Sequence, residues 1–200
     1  MKQDKWKEAV QAYVASISYS DAQLGHLLDA LDKSPYAENT IIVLWSDHGM
    51  HIGEKEHWEK FTLWEESTRI PLIFIVPDMT QPQSICQQPV SLLDVYPTLV
   101  ELTCNRPAST LEGKSLVPLL KNPSLETDKP IVSTWGYNNH AVRSKHWRYI
   151  QYHDGTEELY DHRKDPDEFA NLASKPEYKA VMKKLASCIP KVNHSPLDSE

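Results

Sequence analysis

The chain has 200 residues, 40% of them apolar, with six Trp and nine Tyr, enough to bury a core and to argue against intrinsic disorder. Its formal net charge of -7 speaks against electrostatic binding of nucleic acid. No apolar run reaches the roughly 18 residues of a membrane-spanning helix, residues 1–11 do not carry a signal peptide's apolar core, and three scattered cysteines, Cys86, Cys104 and Cys188, exclude a dense disulfide scaffold and a Cys-type zinc site.

Residues 5–32 place apolar side chains mostly at steps of three or four, from Trp6 and Val10 through Val14, Ile17 and Leu24 to Leu31. That spacing predicts one long helix, ended by Ser34-Pro35. The run NTIIVLW (residues 39–45) is apolar without alternation, the pattern of a strand covered on both faces, as in a parallel sheet. IPLIFIVP (residues 70–77) is a second such run. Residues 91–102 read as a helix with a kink or a start near Pro97, and GKSLVPLL as a short helical turn. After about residue 123 short aromatic strand-like runs take over. Asp154-Gly155 between two of them predicts a hairpin, and KPEYKAVMKKLASCI a closing amphipathic helix. The chain therefore reads as α/β over residues 1–123, a mixed sheet flanked by helices. A small antiparallel sheet with a closing helix follows over residues 124–200.

Between the two apolar runs lies WSDHGMHIGEKEHWEKF, residues 45–61. In open α/β sheets sites form just past the carboxyl ends of strands, and Asp47 and His48 stand there. An adjacent Asp-His pair can set a carboxylate and an imidazole on one metal; alternatively Asp47 caps the turn and His48 packs beneath it. Gly49 lets the chain turn away. His51 and His57 lack the spacing of a helical zinc motif and read as supporting or surface residues. Lys60, shielded by Trp58, is either a solvated lysine or a cation held for an anionic group.

Taken together, SDHGMHIGEKEHWEKFTLWEESTRIPLIFIVP resembles the sulfatase family of the alkaline-phosphatase-like superfamily. The family pattern runs Asp-His-Gly, here Asp47-His48-Gly49; Leu-Gly-Glu, here Ile52-Gly53-Glu54; Trp-x-Lys, here Trp58-Glu59-Lys60; then Thr68-Arg69-Ile70-Pro71-Leu72. The preceding helix carries the matching Tyr19, Asp21 and Gly25. SLLDVYPTL, LEGKSLVPLL and the stretch from Trp147 to Ala173 also match, so the resemblance covers nearly the whole chain, and the iduronate-2-sulfatase-like branch is the nearest. The resemblance implies an alkaline-phosphatase-like α/β fold and a sulfuric ester hydrolase acting on a sulfated carbohydrate. It makes Asp47 and His48 ligands of a divalent cation, calcium, although calcium prefers oxygen donors and His48 is then either a weak ligand or a sulfate contact. Lys60 becomes the residue that binds a sulfate oxygen and offsets charge on the leaving group. Arg69 is expected to brace the loop through Glu65, Glu66 or Asp47.

The family nucleophile is a formylglycine made from Cys or Ser in C/S-x-P-x-R, and no such motif occurs here: Cys86 leads CQQPV, Cys104 leads CNRPA and Cys188 leads CIPKV. The family's paired N-terminal aspartates are not found either. The expectation is a C-terminal portion of a longer enzyme, with little turnover by itself and with its apolar strands seeking the missing part or a second copy. In relatives the C-terminal subdomain contributes to substrate selection. On that basis Asn138, His140 and Arg143 would face a sulfated sugar, with His140 the chosen contact; a strand-end histidine in solvent is the plain alternative. Arg143, Lys145 and Arg148 read as solvated strand residues. The aromatic and basic mixture around them suggests nucleic-acid stacking, but the acidic continuation DGTEELYDHRKDPDE weighs against it. Two alternatives remain: a phosphate-ester hydrolase or transferase of the same superfamily, and a non-catalytic fragment acting as an interaction module.

Overall fold

The computed structural model describes residues 3–104 and 111–195, so most of CNRPA lies outside the described residues. Helix α1 spans Gln3–Asp32, as the three-four spacing predicts. Its fastening point is Trp6, whose indole Nε1 donates to the Ile52 carbonyl at 2.5 Å. The ring fits because Gly53, at φ +128°, has no side chain; a Cβ there would lie 2.7 Å from the indole nitrogen. No helix of the described residues is long and apolar enough to cross a membrane.

Strand β1 (Ile42–Trp45) is followed by two short strands, β2 (His51–Ile52) and β3 (Trp58–Glu59), which pair with each other. A single-turn helix α2 (Glu65–Thr68) then leads into β4 (Leu72–Ile75). β1 and β4 pair with each other antiparallel, Ile42 opposite Ile75 and Trp45 opposite Leu72. An antiparallel pair has its place in the expected mixed sheet, although each run by itself resembles a strand of a parallel one. An unbroken apolar run reports that both faces want cover; it carries no information on strand direction. Within the described chain that cover is incomplete, for Trp45, Ile73 and Ile75 are each about half exposed.

Ser91 opens the next helix with a reciprocal cap: its hydroxyl accepts the Leu93 N–H at 3.2 Å, and Asp94 accepts the Ser91 N–H at 2.9 Å. Helix α3 is Val95–Cys104. Pro97 falls in its first turn, where a missing N–H costs nothing, so the expected start near Pro97 is observed. The short helix α4 (Val117–Lys121) packs behind it, with Thr98 bridging from the Asp94 carbonyl (2.5 Å) to the Leu116 N–H (2.8 Å).

The last part is a four-stranded antiparallel meander of β5 (Ile131–Thr134), β6 (His140–Arg143), β7 (Trp147–Gln151) and β8 (Glu157–Asp161), in that order. The β7–β8 turn contains Asp154-Gly155 as predicted, with Gly155 at φ +85°. Alternation gives this sheet two apolar faces. Val142, Tyr149 and Leu159 meet Met182 and Leu185 of helix α5 (Lys179–Ala186). Ala141, Ile150 and Tyr160 meet Leu63, with Trp64 against them. The second face therefore holds the segment that leads out of the Asp-His-Gly loop.

Candidate functional site

The chain leaves β1 at Trp45 and turns at once. Ser46 Oγ donates to the His48 carbonyl at 2.8 Å, and Asp47 Oδ1 accepts the His48 N–H at 3.1 Å. Gly49 then passes against the end of α2, its N–H donating to the Ser67 carbonyl at 2.9 Å. A Cβ on Gly49 would sit 1.8 Å from the Glu66 carbonyl oxygen, so only glycine fits this crossing. The His48 Nδ1–H donates back to the Gly49 carbonyl at 2.7 Å. That bond fixes the tautomer and leaves Nε2 as an acceptor. Lys60 Nζ lies 2.7 Å from Nε2, and Asp47 Oδ2 lies 3.6 Å from it. The fold thus brings together three of the four residues selected from the sequence.

Lys60 is presented by a bent strap. Lys55, Glu56, Glu59 and Phe61 all have positive φ, between 52° and 73°, a region that costs a residue with a side chain about 1–2 kcal/mol. Contacts outside the strap outweigh this. Lys55 Nζ sits 4.2 Å from the Trp64 ring centre and 4.5 Å from that of Tyr160, and donates to the Tyr160 hydroxyl at 3.2 Å. Burial holds the Lys55 ammonium below its ordinary range. His57 Nε2 donates to the Lys60 carbonyl at 3.0 Å. His51 is fully buried, its Nε2 donating to Thr62 Oγ1 at 2.8 Å, and burial, then His57, push its pKa down. The two histidines have the supporting places expected of them. Lys55 was not anticipated; its partner Tyr160 is too remote in sequence for any local signal.

Beneath the strap an ion network ties α2 to the C-terminal sheet. Arg148, 2% exposed, pairs with Glu65 and places Nε 2.5 Å from Glu168 Oε1. Arg143 Nε reaches Glu65 at 3.1 Å. His162 accepts from Arg143 at 2.9 Å through Nδ1 and donates to Glu168 at 2.8 Å through Nε2. Burial pushes the Glu65 carboxyl up, but the Arg148 and Arg143 guanidiniums outweigh it and hold it at about 2. Arg148 is therefore interior and Arg143 only part-exposed, so neither is a freely solvated strand residue; the acids that compensate them come from segments distant in sequence. Lys145 stays near the surface, as expected, and pairs there with Glu126 at 2.5 Å. Arg69 forms no salt bridge among the described residues, since Glu65 is taken. Glu65, His162 and Glu168 converge closely enough to hold a metal, but the two guanidiniums already fill that role.

His140 lies inside the sheet, 2% exposed, with Nδ1 2.8 Å from Thr134 Oγ1. Facing solvent beside Lys60 is instead Phe61, with the Trp135 ring centre 6.3 Å from its own.

For a divalent cation, the Asp47 carboxylate fits: it is well exposed and offers hard oxygen donors. His48 fits less well, because its one free lone pair faces Lys60 Nζ.

This architecture is shared by solved proteins. A 2-O GAG sulfatase superposes with a TM-score of 0.84 at 27% identity, covering 93% of this chain and 43% of that one. A protein solved in complex with its substrate D-glucosamine-2-N, 6-O-disulfate does so with a TM-score of 0.80 at 28% identity, covering 92% and 40%. The fold is the α/β fold of alkaline-phosphatase-like hydrolases. The chain belongs to the sulfatase family: the family model Sulfatase matches residues 1–105. A sulfatase of Formosa agariphila is 47% identical over 190 residues, which are 94% of this chain and 37% of that relative. The chain thus spans little more than a third of the length of the curated relatives it matches.

Proposed function

We propose that the chain is the C-terminal portion of a sulfuric ester hydrolase of the iduronate-2-sulfatase-like branch, acting on a sulfated carbohydrate. The observation that carries this reading is the Lys60 ammonium held 2.7 Å from His48 Nε2 at the end of β1. Lys60 and His48 form one wall of an anion site. Lys60 holds a sulfate oxygen and offsets the negative charge that builds on the leaving oxygen as the S–O bond breaks. Asp47 is a ligand of a divalent cation, calcium by its oxygen chemistry; such a cation supplies charge neutralisation at the sulfate. His140 acts on the substrate indirectly, by bracing Thr134 at the base of the β5–β6 hairpin. The formylglycine nucleophile comes from outside these 200 residues. The segment that carries it, or failing that a second copy, covers the half-exposed face of β1 and β4. A substrate of sulfated sugar type is supported by the relative solved with a glucosamine disulfate.

The test is a titration of the chain with inorganic sulfate, followed by NMR at the His48 ring and the Lys60 side chain. Saturable shifts at both, lost in Lys60→Ala, are expected. Equal shifts in the variant would sink the anion role, and robust hydrolysis of an aryl sulfate by the chain alone would sink the external nucleophile.

A further inference from the structure

We infer that Phe61 and Trp135 form a stacking platform for the pyranose ring of a sulfated sugar whose sulfate reaches Lys60. The inference rests on the sulfate reading of Lys60 and adds to it the part of the site that would select a sugar ester over the bare anion.

The two rings come from segments far apart in the chain, the strap and the β5–β6 hairpin. Phe61 is 58% and Trp135 50% exposed. A single exposed aromatic is ordinary; two that converge beside a cation are the composition of a small-ligand site, apolar walls with a few placed polar groups. Their centres are 6.3 Å apart with planes inclined at 45°, so the pair makes an angled apolar surface and not a closed stack. Lys60 Nζ is 5.5 Å from the Phe61 centre. A sulfate carried on a sugar stacked at Phe61 is therefore within reach of the ammonium. A pyranose offers an apolar C–H face, which an aromatic wall covers while the hydroxyls stay in water.

The backbone that carries both rings is constrained before any ligand arrives. Phe61 is fixed at φ +72°, a conformation its side chain disfavours. The hairpin tip is closed by the Trp135 N–H donating to the Asn139 carbonyl at 3.1 Å. Gly136 turns there at φ +67° and Asn138 at φ +58°. Asn139 Oδ1 accepts the His153 N–H at 3.1 Å and ties the tip to the neighbouring turn. The buried His140–Thr134 contact braces its base. A half-exposed Trp on so firmly closed a tip is pre-organised for contact.

The experiment titrates the intact chain with two dianions, inorganic sulfate and D-glucosamine-2-N, 6-O-disulfate. The Trp135 indole N–H is assigned by its loss in Trp135→Phe. The disulfate is expected to bind about tenfold more tightly than sulfate and to shift the Trp135 indole. Trp135→Ala should erase that margin and leave sulfate affinity unchanged, Trp135→Phe should keep part of it, and Lys60→Ala should weaken both ligands. Sulfate binding with the margin absent, or intact in Trp135→Ala, would overturn the platform alone. So would an indole shift that follows protein concentration instead of sugar, which would mark a contact between two copies. If neither dianion perturbs Lys60 or His48, the sulfate reading fails and the platform falls with it.

Discussion

Arg148 on β7 and Glu65 at the start of α2 are paired in the interior, with Glu168 beside Nε of the same guanidinium. This pair joins the segment that presents Lys60 to the sheet that presents Trp135. The relative placement of the two parts of the site therefore depends on buried charge, which makes it sensitive to acid.

The sign follows from Glu65. Its carboxyl is near 2 in the folded chain against an ordinary value of 4.5. Its contribution is fully present above about pH 4.5 and is lost as pH falls toward 2. The size is at most about 3 kcal/mol. His51, lowered by burial and by His57, adds an earlier loss that begins as pH drops below about 6.5. Urea unfolding at pH 7, 5 and 3 should show stability falling at each step; a flat profile would contradict the pairing.

Arg148→Ala should destabilise the chain by about 3 kcal/mol, because it leaves buried Glu168 with His162 alone and Glu65 with Arg143 alone. Arg148→Met with Glu65→Gln and Glu168→Gln should recover a good part of that loss. Thermal unfolding of the three proteins, parent included, separates unpaired charge from simple loss of packing.

Lys55→Ala removes both ring contacts beneath the strap and should cost about 2 kcal/mol. Its more telling effect is at Lys60, where sulfate affinity should fall several-fold. Lys55→Arg, which keeps the cation over Trp64, should restore most of it. Unchanged sulfate affinity in Lys55→Ala would mean that the strap holds its shape without this anchor.

Asp47→Ala should abolish whatever calcium binding the chain shows. That binding is expected to be weak, in the millimolar range, since calcium takes six to eight oxygens and Asp47 supplies one carboxylate. Calorimetry on the parent and the variant decides it; identical heats would remove Asp47 as a ligand.

Gly49→Ala forces a Cβ to within 1.8 Å of the Glu66 carbonyl oxygen, so backbone must move. A loss of at least about 2 kcal/mol is expected. Sulfate-induced shifts at His48 should shrink with it, because the turn sets the imidazole beside Lys60.

Much of this was legible in the sequence for local reasons. The periodicity of α1, the turn at Asp154-Gly155 and Pro97 in a first turn are short-range effects. Asp47, His48 and Lys60 sit in one motif, and the structure does place them together. What could not be read were relations set by distant partners. Arg148 looked solvated because Glu65 and Glu168, which make its burial tolerable, lie on other elements. Lys55 looked like any charged loop residue because its two aromatic partners belong to different segments. β1 and β4 were legible as strands of a mixed sheet but not in their relative direction, since apolar content does not encode orientation. His140 is expected at the substrate from the role of the C-terminal subdomain in relatives, but it stands on an inner strand of a sheet covered on both faces and is buried.

The strap also has a consequence for binding strength. Four residues with side chains, from Lys55 to Phe61, are locked into the left-handed region by folding itself. An anion that reaches Lys60 meets a backbone with little freedom left to lose. The conformational cost is met once, when the chain folds, and does not recur with each ligand. Relaxing these positions with glycine would ease the fold and loosen the grip.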